Sequence, residues 1–210
     1  MKVYRTQLGV IDANCYVLVD EKSGEAAVID PGDFNENLKK ILRLNEIKLV
    51  KYILLTHGHY DHIFGVYDTR EYTGARVAIH EEDAACLYDE KQSLAYQFDN
   101  EQKLLKPDIL LKEDMRLKVG DIEITVMHTP GHTKGGVCFI CEKERIIFSG
   151  DTLFCKTCGR TDLPGGDWQS LKESLLRLVA LKGDYTVYTG HNIETKLDFE
   201  KTHNRYLRKF

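Results

Sequence analysis

Apolar and polar positions alternate in short runs along this chain, with helix-period segments between them. Runs 2–8, 14–19 and 26–29 read as strands, parted by turns at Asp12-Ala13 and Lys22-Ser23-Gly24. Asp30-Pro31-Gly32-Asp33 is a turn. Segment 35–45 places Leu38, Ile41, Leu42 and Asn45 along one side, which predicts a helix with one buried face. The apolar stretch 49–55 predicts a buried strand, 61–72 a helix, 76–79 a strand and 81–88 a short helix. The chain is then polar and aromatic as far as Pro107, with Tyr96 and Phe98, and reads as a loop over a site. Strands follow at 115–119, 122–127, 137–141 and 145–148, with turns at Gly120-Asp121 and Glu142-Lys143. Segment 168–181 carries Leu171, Leu175 and Leu178 on one side of a helix. A strand at 185–188 and a helix at 198–207 complete the pattern. Two halves meet near 104–110, which predicts an α/β fold of two packed sheets with helices outside, in a single domain over 1–210.

Composition narrows the class. With 42 % apolar and 30 % charged residues the chain is an ordinary globular protein, and 210 residues suffice for a full core. The net charge of −4 and the lack of a basic run argue against a nucleic-acid partner. The first seven residues lack the apolar stretch of a signal peptide, and no run is long enough for a membrane span. The expectation is a cytoplasmic enzyme with a small-molecule substrate and neither nucleic acid nor membrane as partner. Its oligomeric state stays open.

Cys138-x2-Cys141 and Cys155-x2-Cys158 mimic a zinc-ribbon spacing. Residues 137–141 read as a buried strand, however, where positions three apart face opposite sides, whereas a ribbon needs both thiols on one knuckle. Cys15 and Cys86 sit in apolar contexts and read as small core residues. Cys155 and Cys158 fall in a loop and are expected to be more accessible.

The chemistry sits at strand ends. His57, His59, Asp61 and His62 crowd into six positions directly after the strand 49–55. His132 follows the strand 122–127, Asp151 the strand 145–148 and His191 the strand 185–188, each beside a glycine that lets the chain turn sharply. Imidazole and carboxylate together suit Zn²⁺, Fe or Mn. His57 and His59, two apart, project to one side of an extended loop and make a three-histidine group with His132. Asp61 and His62 would pair with His191, and Asp151 has two oxygens to share between the groups. Two divalent ions, zinc first with Fe or Mn as alternatives, would lie ~3.5–4 Å apart over a water of pKa ~7, a nucleophile for a scissile carbonyl. Asp61 and Asp151 are thereby the catalytic carboxylates.

These residues resemble the metallo-β-lactamase-fold hydrolases. The likeness rests on Thr56-His57-Gly58-His59-Tyr60-Asp61-His62, Thr129-Pro130-Gly131-His132-Thr133, Gly150-Asp151-Thr152-Leu153-Phe154 and Thr189-Gly190-His191. It implies a four-layer αβ/βα sandwich, two mixed β-sheets flanked by helices, with a dinuclear site at one edge. The nearest branch is similar to glyoxalase II, the hydroxyacylglutathione hydrolases. Segment 159–167 looks like one typical of short bacterial members. The implied reaction is hydrolysis of a thioester of the S-2-hydroxyacyl-glutathione type. Full glyoxalase II enzymes carry a helical C-terminal domain that contributes to glutathione binding. Here 210 − 191 = 19 residues follow His191. Persulfide dioxygenases share fold and motif but use one Fe, and relatives that cleave other esters, lactones or lactams share the fold. Flavodiiron oxidoreductases differ, with Glu where His59 stands and a flavin domain. A non-catalytic metal-binding protein does not explain an intact ligand set.

Arg160, nine residues beyond Asp151 in a glycine-rich loop, is a candidate fork for a substrate carboxylate, or else a surface ion-pair partner. Lys134, close to His132, is a second candidate for the anionic thioester. Asn14 and Asp30 stand as residues that orient ligands, with turn formation as an equal explanation of Asp30. His80 and His128, each at a strand end without a second ligand beside it, read as non-ligands. His203 reads as solvent-facing and Trp168 as a helix-start core residue.

Overall fold

The structure, a computed structural model, describes residues 1–44, 46–97 and 101–207. The expected helix end at Asn45 and the loop aromatic Phe98 lie outside the described residues.

The first sheet holds β1 (Lys2–Leu8), β2 (Ala13–Val19), β3 (Glu25–Ile29), β4 (Leu49–Leu54), β5 (Arg76–His80) and β6 (Ile109–Leu111), in that order. Its first three strands pair antiparallel, and β3 to β6 run parallel. The second half supplies β7 (Arg116–Val119), β8 (Ile122–His128), β9 (Val137–Cys141) and β10 (Ile146–Gly150), then a small hairpin of β11 (Leu153–Phe154) and β12 (Thr157–Cys158). With β13 (Thr186–Thr189) and β14 (Thr195–Lys196) the second sheet runs β14-β13-β10-β9-β8-β7. The β10/β13 pair is parallel and the others antiparallel, so both sheets are mixed.

Two-residue periodicity explains the layering. In β2, Tyr16 and Leu18 face the second sheet and join Phe139 and Phe148 in a central core. Cys15, Val17 and Val19 face the other way, toward α1 (Glu36–Leu42) and its Leu38. In β9, Cys138 and Ile140 lie with Leu171, Leu175 and Leu178 under the helix Trp168–Val179, while Cys141 lies in the central core. Helix, sheet, sheet and helix therefore stack as four layers. Cys138 and Cys141 point to opposite faces, which removes the zinc-ribbon reading.

Local chemistry sets the helix ends. Asn35 caps α1 by accepting from the Asn37 and Leu38 N–H groups, and Asp167 caps the helix Trp168–Val179 by accepting from Ser170 N–H. The expected helix 61–72 is two pieces, α2 (Tyr60–Ile63) and α3 (Val66–Thr73). Between them Gly65 presses on Asp33, where a Cβ would meet backbone carbon at 2.3 Å, and its N–H donates to Pro31 O at 2.9 Å. That tertiary contact interrupts the helix. The segment Glu81–Leu87 forms a 3₁₀ helix, and α5 (Leu197–His203) closes the description after α4, the helix Trp168–Val179. Trp168 is 42 % exposed and packs on Tyr206, so it is not the core residue its helix-start position suggests. Among the described residues no helix is long and apolar enough to cross a membrane.

The strands β8, β10 and β13 point the same way, and their C-terminal ends meet that of β4 at one edge. Two backbone bonds lock this meeting: Val137 N–H to Thr56 O and Asn14 N–H to Gly190 O, both 2.7 Å.

Candidate metal centre

The loop after β4 is shaped by Asp30, a buried residue in the left-handed region at φ 50°. Its carboxylate accepts from Thr56 N–H at 2.7 Å, from the Thr56 hydroxyl at 2.6 Å and from His62 Nδ1 at 3.1 Å. The Thr56 oxygen in turn lies 3.1 Å from His57 Nδ1. Since the Thr56 hydroxyl proton goes to Asp30, that oxygen accepts from His57 Nδ1–H. His132 Nδ1 donates to the Arg160 carbonyl at 2.8 Å. Three histidines thus have Nδ1 committed as donor, which leaves the Nε2 lone pair of each pointing inward.

Those lone pairs converge. His59 Nδ1 lies 2.9 Å from His132 Nε2, and His57 stacks edge-on against both rings at 4.9 Å between centroids. Across from them, His191 Nε2 lies 3.0 Å from Asp61 Oδ2 and 3.3 Å from His62 Nε2. Each group, His57–His59–His132 and Asp61–His62–His191, brings its ligand atoms within 4.8 Å of one another. Asp151 stands between them, with Oδ1 3.5 Å from His62 Nε2 and Oδ2 3.4 Å from His132 Nε2. All seven sequence-derived ligand candidates therefore meet, in the division their spacing suggested.

The donor set fits a pair of cations. His57 Nε2 and Asp151 Oδ1 are buried without a hydrogen-bond partner, a costly state for polar atoms unless something else satisfies them. Electrostatics divides the two halves. Burial, then the neighbouring imidazoles, pushes His57 well below its usual range and His59 down to about 3, so both are neutral ligands at pH 7. Burial also works against charge on His62 and His191, but it is outweighed. Asp61, Asp151 and Asp30 raise His62 well above its usual range, and Asp61 and Asp151 raise His191. For Asp61, burial opposes ionisation and is overcome by His62 and His191, which hold it well below the carboxylate range. The carboxylate side draws a proton to the place a cation would take.

A cavity of about 500 Å³ opens over the centre. His59, Asp61, His132, Asp151 and His191 border it, with apolar walls from Ile11, Leu94, Phe154 and Leu163. Arg160 lies at this cavity, its guanidinium gripped by Asp162 at 2.7 and 2.6 Å. Lys134 lines a smaller neighbouring pocket with Lys91 and Thr133. Its carbonyl accepts from His128 Nε2 at 2.8 Å.

Sequence reasoning anticipated Asn14 and Asp30 as supports of the centre and missed Asp83, Tyr16 and the pairing of His80 with His128. His80 and His128 do have a ligand-type neighbour, because their rings stack on each other at 4.0 Å with Glu82 nearby. Both have other work: His80 Nδ1 accepts from Glu82 N–H, and His128 Nε2 donates to Lys134 O. Asp83, in the least readable segment, bonds both metal-bearing loops through Gly58, Thr133 and Gly135. Asn14 donates to Thr189 O at 2.8 Å and Asn192 O at 3.1 Å, holding the His191 turn, and Tyr16 hydroxyl reaches the same Thr189 O. A polar side chain in an apolar strand flags Asn14. No sequence signal marks Asp83.

Comparison with known proteins agrees with this architecture. The Metallo-beta-lactamase superfamily profile matches residues 8–191. The chain belongs to that superfamily. Within it, an uncharacterized protein of Aquifex aeolicus is 38 % identical over 95 % of this chain and 93 % of its own. The hydroxyacylglutathione hydrolase GloC of Haemophilus influenzae is 33 % identical, covering 92 % of each chain. Among solved superfamily structures, BLEG-1, a B3 metallo-beta-lactamase, superposes with TM-score 0.91 at 33 % identity over 98 % of this chain and 99 % of its own. TTHA1623 in a di-iron-bound form gives TM-score 0.85 at 33 % identity over 97 % and 100 %.

Proposed function

We propose that this protein is a metal-dependent hydrolase of small thioesters, with the S-2-hydroxyacyl-glutathione type as the leading substrate class. The observation that carries the reading is the pair of complete ligand groups facing each other across Asp151, with two buried polar atoms lacking any protein partner. His57, His59 and His132 would hold one divalent ion, and Asp61, His62 and His191 the second, with Asp151 shared. Bound there, the ions supply Lewis acidity that polarises the thioester carbonyl and brings the pKa of water from 15.7 toward about 7. The likeness to GloC supports the thioester class, and the di-iron form of TTHA1623 supports a two-ion centre, with iron as the alternative to zinc.

The chain's own residues do the rest. Asp61, which lines the cavity, would spend one carboxylate oxygen on the ion and can accept from the attacking water through the other, orienting the water's lone pair toward the carbonyl. Asp30, Thr56 and the Arg160 carbonyl keep three imidazoles in the ligating tautomer. Ile11, Leu94, Phe154 and Leu163 exclude bulk water around the reacting carbon and strengthen each electrostatic contact. Arg160 would meet the carboxylate of the thiol carrier in exchange for Asp162, and Lys134 lies one pocket away.

The deciding experiment is metal analysis of protein from its own host together with a thioester panel. Close to two metals per chain and turnover of S-2-hydroxyacyl-glutathione are expected. One tightly held iron, with oxygen uptake on glutathione persulfide, would move the protein to the dioxygenase reading.

A further inference from the structure

Gly58 and Gly135 lie on different metal-bearing loops, yet both press against the same 3₁₀ helix. A Cβ on Gly58 would sit 2.4 Å from Cys86 Sγ and 2.6 Å from its Cβ. A Cβ on Gly135 would sit 2.6 Å from Asp83 N and 2.7 Å from its Cγ. Only a bare backbone can come this close. What the approach achieves is hydrogen bonding to one carboxylate. Asp83, 4 % exposed, accepts from Gly58 N–H at 2.9 Å and the Thr133 hydroxyl at 2.7 Å through Oδ2, and from Gly135 N–H at 2.7 Å through Oδ1.

The placement of those donors matters. Gly58 separates His57 from His59, and Thr133 follows His132 directly. One side chain therefore grips the backbone between two ligands of the three-histidine group and the residue beside the third. The two loops come from different sheets, after β4 and β8, and no strand pairing joins β4 to β8. Hydrogen bonds to a charged acceptor are roughly twice as strong as neutral ones.

We propose that Asp83 is the positioning residue of the three-histidine half-site, setting the separation of the His57/His59 loop from the His132 loop and so the affinity of the metal held there. The inference rests on the reading that these histidines hold a metal. Asp83 touches none of the ligand side chains and lies outside the main cavity, so it acts through the two backbones. Its counterpart on the other half is Asp30, which bonds His62 directly. The carboxylate side of the centre has no contact with Asp83 and serves as an internal control.

Single-site backgrounds separate the effects. Of the two facing groups, His191→Ala leaves the three-histidine one complete, and His132→Ala leaves the Asp61–His62–His191 one complete. Asp83→Asn keeps the size of the side chain but turns an NH₂ toward at least one of three donors. Zinc affinity of metal-free protein, measured against a chromophoric chelator, should fall about 10–100-fold when Asp83→Asn enters the His191→Ala background. In the His132→Ala background it should change less than threefold. Thr133→Val, which removes one donor and keeps the shape, should give a smaller fall on the same side only. It carries the test if Asp83→Asn does not fold. Equal losses in both backgrounds would make Asp83 a general stability residue, and unchanged affinity in both would remove it altogether. Absence of zinc binding in the His191→Ala protein would overturn the three-histidine site and the inference together.

Discussion

His59 Nδ1 and His132 Nε2 lie 2.9 Å apart, although 73 positions separate the residues in the chain. Zn–N bonds of ~2.0–2.1 Å at a tetrahedral angle place neighbouring ligand atoms ~3.3 Å from each other, so the two nitrogens are spaced about as two ligands of one ion would be. Two nitrogen lone pairs at that distance repel unless a proton or a cation lies between them. Burial, and then His132 itself, disfavours the charged imidazolium of His59, so without a cation the contact is held by a neutral Nδ1–H donating to the His132 Nε2 lone pair.

The bridge is the first thing to test. Asp151 is the carboxylate that faces both groups, with one buried oxygen unpartnered. Asp151→Ala should bring metal content from close to two per chain to close to one and remove most turnover. Plasma emission analysis after gel filtration reads the first effect. Two metals and a normal rate in the variant would take Asp151 out of the centre.

Metal affinity should depend on pH more steeply in one half than in the other. His62 and His191 have raised pKa values in the metal-free protein, so a metal must displace protons from them at neutral pH. His57 and His59 are depressed and have no proton to lose. Raised groups shed their protons as pH climbs above the ordinary histidine value, so affinity rises with pH where they are the ligands. In the His132→Ala protein, affinity should increase from about pH 6.5 to about pH 8.5. In the His191→Ala protein His57 and His59 should add no pH dependence over that window, so the slope should be the smaller one. Chelator competition at several pH values distinguishes the two.

Arg160 has two separable roles. Its carbonyl holds His132 Nδ1, and its guanidinium sits in an exposed fork with Asp162. Arg160→Ala keeps the carbonyl and should leave kcat unchanged. An exposed charge contact is worth roughly 1 kcal/mol, so KM for an anionic thioester should rise about three- to tenfold, with no change for a neutral one. An equal KM for both substrates would return Arg160 to a surface ion pair.

Asn14→Ala strips the Thr189 and Asn192 carbonyls of a buried donor. Denaturant titration of the metal-free protein should register a loss of about 1–3 kcal/mol. The His191 turn should loosen with it, and zinc bound by Asp61, His62 and His191 should weaken. A stable variant with an unaltered second metal would leave the turn to Tyr16, Arg5 and the backbone bonds at Gly190.

Much of the fold was legible because burial is periodic. The alternation in β2 and β9 matches the three cores residue by residue, down to the opposite faces of Cys138 and Cys141. The short edge strands β6, β11, β12 and β14 were not read, since two or three residues carry no periodicity. Nor was the break at Gly65, whose cause is the distant Asp33 backbone. His80 and His128 looked isolated in the sequence because the strands that carry them belong to different sheets, and only folding stacks their rings.

By itself the sequence determined the kind of atoms at the centre, their grouping and the layered α/β plan. Ligand chemistry belongs to each side chain, and strand period is a local property of the backbone. The tertiary structure decided which nitrogen of His57, His62 and His132 faces inward, because Asp30 orients Thr56 and His62, and the Arg160 carbonyl orients His132, from other parts of the chain. It also brought Asp83 against both loops. Each of these depends on distances between segments that the order of residues does not encode locally.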